Sequence, residues 1–241
     1  SKIYVTLEPC NHYGKTPPCT NIIIKSGIKQ VFYSMNDIDN KVKGKSFKIL
    51  SKKKIKVKRG LLKYETKDLY DSYIINRRYK LPYVTAKIAT SKNNLIYSDG
   101  IKRITNQTSN KISHYLRFKN DAIMISVKTL NTDNPRLDCR LKGYENFSPI
   151  RVILDKNLDI KLNTYVLRSV KKDNTIIFYN SSKNQKLQIL KKKGAILIKT
   201  RLTNKKLFNL KDIFKILFSM NIRNLLVEGG DKMTKNMINH R

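Results

Sequence analysis

Cys10 and Cys19 stand nine residues apart, each directly after a proline, in Pro9-Cys10 and Pro18-Cys19. Two thiols so placed read as two ligands of one zinc ion. Zinc takes thiolate and imidazole donors in a tetrahedron, and an open fourth position lets it activate water. The pKa of that water falls towards neutrality, and a carboxylate must then move protons between it and a leaving amine. Pro9 stiffens the loop. Pro18 sits at a helix start, where the N-terminus is expected to favour the Cys19 thiolate. A Cys10–Cys19 disulfide is the competing reading, but the flanking prolines and the lack of secretory features favour metal. Cys139 reads as a semi-buried structural thiol. The histidines are His12, His114 and His240, and none is followed two residues later by Glu. His12 reads as loop polarity or a substrate contact before it reads as a ligand. Glu8 reads as a structural strand-end residue before it reads as a proton shuttle. No catalytic residue for such a zinc site is visible in the chain.

A second set of residues could hold an anionic or hydroxylated ligand. Arg117 and Arg140 can supply bidentate guanidinium donors to a phosphate, with surface ion pairs as the plainer alternative. Asp133-Asn134-Pro135 is a turn-forming triplet. Glu228 ends a strand directly before Gly229-Gly230, where a carboxylate can accept from hydroxyls and the backbone can approach a ligand closely. A helix start from about Asp231 would offer free N–H groups to a phosphate.

These residues must be carried by alternating elements. The apolar periodicity predicts strands at Ile3–Leu7, Ile28–Met35 and Ile55–Lys58, with helices over Pro18–Ser26, Val42–Lys53 and Tyr64–Tyr79. Leu69, Tyr73 and Ile74 would form one stripe of the last helix. Lys80-Leu81-Pro82 breaks the pattern and is read as the boundary between domains 1–80 and 81–241. Strands follow at Tyr83–Thr90, Ala122–Ser126, Ile150–Asp155, Thr175–Asn180, Ala195–Thr200 and Ile222–Glu228. Helices are expected over Asn106–Phe118 with a cap near Thr105, over Lys183–Lys193 and Leu210–Met220, and again from about Asp231. The result is an α/β chain with mostly parallel sheets.

The chain has 51 basic and 17 acidic residues among 241, a net charge of +34. That balance would suit nucleic acid or an anionic membrane. The bases are spread along the whole length, and the chain is crowded with Lys, Asn and Ile, as an AT-rich coding sequence would give. Compositional bias is therefore favoured over a nucleic-acid surface. No apolar run approaches 18 residues, so no membrane span is expected.

The stretch from Tyr4 to Leu50 strongly resembles the deaminase half of the bifunctional riboflavin-biosynthesis deaminase–reductase family. Eight residues separate the thiols here, around His-x-Gly-x-Thr-Pro-Pro, whereas tRNA and cytidine deaminases usually keep two. Downstream, His114-Tyr115-Leu116-Arg117, Asp121-Ala122-Ile123, Thr129 to Arg140 and Val227-Glu228-Gly229-Gly230 resemble the family's reductase half in order and spacing. The resemblance implies the C-terminal part of a cytidine-deaminase-like α/β/α domain followed by a dihydrofolate-reductase-like α/β domain. It implies Zn2+ held by Cys10 and Cys19, with a histidine ligand and a catalytic glutamate expected upstream of Ser1, and final strands expected beyond Arg241. It also implies NADPH, with Ala89, Thr129, Asp133, Gly230, Asp231 and Lys232 at the cofactor, and Arg117, Leu137, Arg140 and Glu228 at the substrate. The implied activities are hydrolytic deamination of a phosphoribosylated diaminopyrimidine, then reduction of its ribosyl chain to ribityl, in a cytoplasmic homo-oligomer. Two departures stand out. Ser91-Lys92-Asn93-Asn94-Leu95 replaces Ser-x-Asp-Gly, and Arg103 replaces an aromatic before Ile104-Thr105. The alternatives are a zinc deaminase directed at RNA through its basic surface, and a non-catalytic module without zinc.

Overall fold

The computed structural model describes residues 1–92, 105–171, 174–230 and Met233. The chain divides into two compact units, Ser1–Lys80 and Leu81–Arg241. In the first unit, strands β1 (Lys2–Leu7), β2 (Gln30–Met35) and β3 (Lys56–Arg59) form a parallel sheet with β2 in the centre. Parallel neighbours need crossovers, and helices α1 (Cys19–Lys25) and α2 (Lys45–Lys52) supply them. Side chains alternate across each strand. Ile3, Val5, Val31, Tyr33 and Val57 therefore join Ile23 and Leu50 in one apolar cluster. Tyr4 lies on the opposite face, 60% exposed and stacked on Phe32 at 4.6 Å between ring centroids.

Glu8 has the structural strand-end role read from the sequence. Its carboxylate is buried and accepts the Asp37 and Gly44 N–H groups at 3.2 and 3.0 Å and the Ser46 hydroxyl at 2.7 Å. It thereby ties the end of β1 to the loop entering α2. Gly44 adopts φ +72, a conformation that glycine reaches without a Cβ penalty. The helix expected from Val42 therefore begins only at Lys45.

The single helix expected over Tyr64–Tyr79 is corrected. It is α3 (Lys63–Lys67), a 3-10 turn at Asp68–Tyr70, and α4 (Asp71–Tyr79). Tertiary hydrogen bonding decides this. The Tyr70 and Thr6 hydroxyls bond at 2.6 Å, and the Tyr73 hydroxyl donates to Asp37 at 2.7 Å. Leu69, expected on one stripe with Tyr73 and Ile74, is 70% exposed.

Among the described residues the second unit has six parallel strands: β4 (Tyr83–Lys87), β5 (Ala122–Ser126), β6 (Ile150–Leu154), β7 (Thr175–Tyr179), β8 (Ile196–Lys199) and β9 (Asn224–Glu228). Their spatial order is β4-β9-β5-β6-β7-β8, so the last strand inserts between the first two. Central parallel strands are buried on both faces and read as continuous apolar runs, as in Ala122–Ser126 and Thr175–Tyr179. One face carries Ile123, Ile125, Ile153, Ile177 and Leu226. It packs against Leu116 of α5 (Gln107–Lys119), Leu130 of α6 (Val127–Asp133), Val166 and Leu167 of α7 (Tyr165–Arg168) and Leu190 of α8 (Asn184–Lys192). The other face carries Ala122, Met124, Val152, Ile176 and Phe178 against Leu210, Ile213 and Leu217 of α9 (Leu210–Ser219). Burying each such aliphatic side chain contributes roughly 1.5–3 kcal/mol.

Asn106 caps α5, accepting the Ser109 N–H at 2.8 Å, one residue beyond the expected cap. The strand expected to reach Thr90 ends at Lys87. Helices α6 and α7 were not expected. The predicted helix from Asp231 falls, apart from Met233, outside the described residues, as do Asn93, Asn94, Leu95 and Arg103. Among the described residues no helix is long and apolar enough to cross a membrane.

Burial, and then the bond to Asp37, push the Tyr73 phenol up to about 12 from its ordinary 10.0. A raised acid pKa means that the hydrogen is held more tightly when folded, so this stabilisation holds below pH 10.0 and is lost as pH rises through about 12. Tyr73→Phe should lower unfolding free energy by about 1 kcal/mol in urea titration. The alkaline difference spectrum between the two proteins should show one phenol titrating near 12. A midpoint near 10.0 would contradict the bond to Asp37.

Candidate functional site

The insertion of β9 brings Glu228 to the carboxyl edge of the second sheet, in register with Lys87 of β4 and one residue beyond the Met124–Val227 pairing with β5. The carboxyl ends of parallel strands are where open α/β sheets hold ligands, above all where the strand order reverses. Glu228 meets Arg117 there. Arg117 donates through Nε to Oε1 at 3.2 Å and through Nη2 to Oε2 at 3.0 Å, and through Nη1 to the Asp138 carbonyl at 3.2 Å. The side chains are 11% and 15% exposed. Arg117 was offered from sequence as a phosphate donor beside Arg140. In the structure its fork is turned onto Glu228, and only Arg140 stays on the exposed side.

Arg140 is held by a residue to which sequence reading gave no role. The Arg140 main-chain N–H donates to His114 Nδ1 at 3.2 Å, and Arg140 Nη2 lies 3.3 Å from His114 Nε2. Arg140 Nε is 3.5 Å from Asp138 Oδ1, an ion pair too long for a good hydrogen bond. Partial burial holds the His114 imidazole below its ordinary 6.5, and the Arg117 and Arg140 charges add to this. The available signal was the i, i+3 spacing of His114 and Arg117, which puts both on one face of α5.

The remaining sequence candidates are arranged along the same edge. Thr129 lies in the first turn of α6, where its N–H donates to the Ser126 hydroxyl at 3.2 Å. Asp133 ends α6 and is exposed, and Asn134 closes the helix in the left-handed conformation. Leu137 has φ +59 and a side chain only 1% exposed, so only its main chain can face a ligand. Ala89 follows β4 and is half-buried. A Cβ on Gly229 would lie 2.9 Å from the Cβ of Met233, which accounts for glycine at that turn. Gly230 is exposed, and Asp231 and Lys232 lie outside the described residues.

In the first unit, Pro18 precedes α1, and its fixed φ suits a helix entry. The N–H groups at the start of α1 turn to Cys10. Cys19 N donates to Cys10 Sγ at 3.3 Å and Thr20 N donates to the Cys10 carbonyl at 3.1 Å. The helix start therefore serves Cys10, whereas Cys19 had been expected to gain from it. Partial desolvation, and then the neighbouring Cys10 thiol, push the Cys19 thiol up. The loop between them leaves Asn11 Oδ1 and His12 Nδ1 buried without a hydrogen-bond partner. Two adjacent thiols have donor chemistry suited to zinc, although no three His, Cys, Asp or Glu groups among the described residues are arranged to hold a metal.

Comparison with known proteins decides the family. The profile of the RibD C-terminal domain matches residues 82–241, two thirds of the chain. The chain belongs to the RibD C-terminal domain family. Its second unit is a RibD reductase-type domain of riboflavin biosynthesis. The RibD protein of Aquifex aeolicus is 35% identical over 232 residues, 95% of this chain and 63% of that protein. That of Bacillus amyloliquefaciens is 35% identical over 230 residues, 95% and 61%. The chain thus spans somewhat under two thirds of the length of these RibD relatives. A crystal structure from Thermotoga maritima, described as a diaminohydroxyphosphoribosylaminopyrimidine deaminase/5-amino-6-(5-phosphoribosylamino)uracil reductase, superimposes with a TM-score of 0.79 at 31% identity. It covers 98% of this chain and 64% of its own. Acinetobacter baumannii RibD, form 1, gives 0.79 at 25% identity over 99% of this chain and 65% of its own.

Removing one partner of a largely buried ion pair leaves the other charge unpaired and costs about 3 kcal/mol or more. Arg117→Ala and Glu228→Ala should each destabilise the RibD-type unit by roughly that much, and the double variant by clearly less than their sum. Urea unfolding of the three variants measures this, and strict additivity would argue against a coupled pair.

Proposed function

We propose that the second unit is an NADPH-dependent reductase that converts the ribosyl chain of a phosphorylated aminopyrimidine to a ribityl chain. The first unit supplies two thiolate ligands of a zinc site for hydrolytic deamination of the same class of pyrimidine. The single observation that supports the reductase reading best is the convergence of Arg117, Glu228, Arg140 and the start of α6 on the carboxyl edge of β9 and β5, within the region matched by the RibD family.

Each residue has a distinct task in this reading. Arg140 takes the sugar phosphate, because its guanidinium is half exposed and its one carboxylate partner among the described residues, Asp138, stands at a long 3.5 Å. Arg117 positions Glu228, whose carboxylate accepts hydrogen bonds from sugar hydroxyls. The buried Leu137 side chain anchors the loop, so its main chain can meet the substrate at a fixed place. Thr129 and Asp133 on α6, Ala89 after β4, and the segment Gly230-Asp231-Lys232 hold the cofactor. NADPH, when bound, supplies the hydride. In the first unit Cys10 and Cys19 would hold zinc, which supplies a water acidified towards neutral pH.

Charge-assisted hydrogen bonds contribute roughly 1.5–3 kcal/mol. Arg140→Ala should therefore raise KM for the phosphorylated pyrimidine about tenfold or more, with kcat and the KM for NADPH little changed. NADPH oxidation kinetics provide the measurement, and an unchanged KM would refute the phosphate role. Cys19→Ser should reduce zinc retained after dialysis, measured by atomic absorption, and leave NADPH oxidation intact. Loss of both together would mean that the units do not act independently.

A further inference from the structure

We propose that His114 is a second oxyanion donor, so that its Nε2–H and the Arg140 guanidinium together grip the phosphate of the sugar-phosphate substrate. This rests on the reading that Arg140 takes that phosphate.

Hydrogen-bond roles around the ring carry the inference. His114 Nδ1 accepts the Arg140 main-chain N–H at 3.2 Å, so it holds a lone pair. In a neutral imidazole the hydrogen is then on Nε2. Nε2 faces Arg140 Nη2 at 3.3 Å. A guanidinium has donors only. Two donors therefore stand side by side with no bond between them, and an oxygen placed against both would accept from each. Phosphate oxygens carry the charge and lone pairs for this.

The surroundings agree. On the same helix, Arg117 spends its fork on Glu228 of β9. From the facing loop, Asp138 Oδ2 accepts from Arg136 Nε at 3.1 Å, while its Oδ1 lies 3.5 Å from Arg140 Nε. The Cys139 thiol points at the His114 carbonyl at 3.6 Å, away from the ring. The carboxylates facing the ring are thus already engaged by arginines, and the uncompensated field beside Nε2 is positive. The same arginines, after partial burial, favour the neutral form of the free imidazole. An oxyanion bound at Nε2 would reverse their effect and raise its pKa.

The test uses ribose 5-phosphate as probe and the 241-residue chain. Asn at position 114 retains a short-armed acceptor for the Arg140 N–H but has no donor at the Nε2 position, whereas Gln places an amide donor there. Calorimetry should show binding weakened about tenfold in His114→Asn, one charge-assisted bond's worth, and largely retained in His114→Gln. Nitrogen-15 spectra of the unaltered protein should show the Nε2–H tautomer of His114, with its titration midpoint moving up on saturation with ribose 5-phosphate. Asn binding as tightly as the parent, with Arg140→Ala still impaired, would overturn the His114 role and leave the Arg140 reading standing. Failure of the parent to bind, or undiminished binding by Arg140→Ala, would overturn both. If both His114 variants bind poorly, the spectra decide: an Nδ1–H tautomer or an unmoved midpoint overturns the proposal.

Discussion

Arg117 and Glu228 are separated by 111 positions in the chain, yet two guanidinium nitrogens meet two carboxylate oxygens within 3.2 Å. That contact joins the helix entering the sheet to the strand that completes it. The third Arg117 nitrogen binds the Asp138 carbonyl and draws in the loop carrying Leu137 and Arg140. Neither charge could sit at 11–15% exposure alone, since an unpaired ion there would lose several kcal/mol of hydration. The pair forms with β9 between β4 and β5, the strand order that brings Glu228 to Arg117. A planar fork is needed for it. Lysine has a single nitrogen and cannot span the two carboxylate oxygens and the Asp138 carbonyl as the guanidinium does.

Carboxylates bonded to main-chain donors do comparable work elsewhere. Asp155 is fully buried and accepts the Asp159 and Ile160 N–H groups at 2.7 and 2.8 Å. Asp121 accepts the Arg223 and Asn224 N–H groups, both at 2.8 Å, fixing the start of β9 beside β5. In the first unit Glu8 gathers three donors. With only 17 acidic residues in the chain, many of those that are buried serve as backbone acceptors at the ends of strands.

This division explains what was legible in the sequence. β5 matched its expected span residue for residue, because an apolar run bounded by Asp121 and a capping serine signals a buried strand without ambiguity. Parallel architecture was legible for the same reason. The break at Asp68–Tyr70 was not, because the Tyr70 and Tyr73 hydroxyls bond to Thr6 and Asp37, partners 64 and 36 residues away. Helix α6 was hidden inside a stretch read for its chemistry, although Ser126 is a residue type favoured as an N-cap. At the site, residue types could be named, but their mutual bonds could not. Arg117 and Arg140 looked equivalent in sequence, and only the fold shows that one is turned onto a carboxylate while the other rests against His114.

The same distinction bears on the charge of +34. Among the described residues five ion pairs form, and only Lys183–Asp159 uses a lysine, with both side chains more than half exposed. Arginine makes most of the oriented contacts, with carboxylates and over the rings of Phe47, Tyr73, Tyr165 and Phe218, while Lys58 alone of the lysines lies over a ring, that of Phe32, among the described residues. Lysine mostly faces solvent, where each charge contributes to a long-range field screened over about 8–10 Å at ordinary salt. A field spread over the whole surface cannot select a partner, since it has no geometry. It can raise the local concentration of any anion, including a sugar phosphate or a dinucleotide. Selection then falls to the few places where donors converge at fixed distances, and at the edge of the second sheet those donors are arginine and histidine.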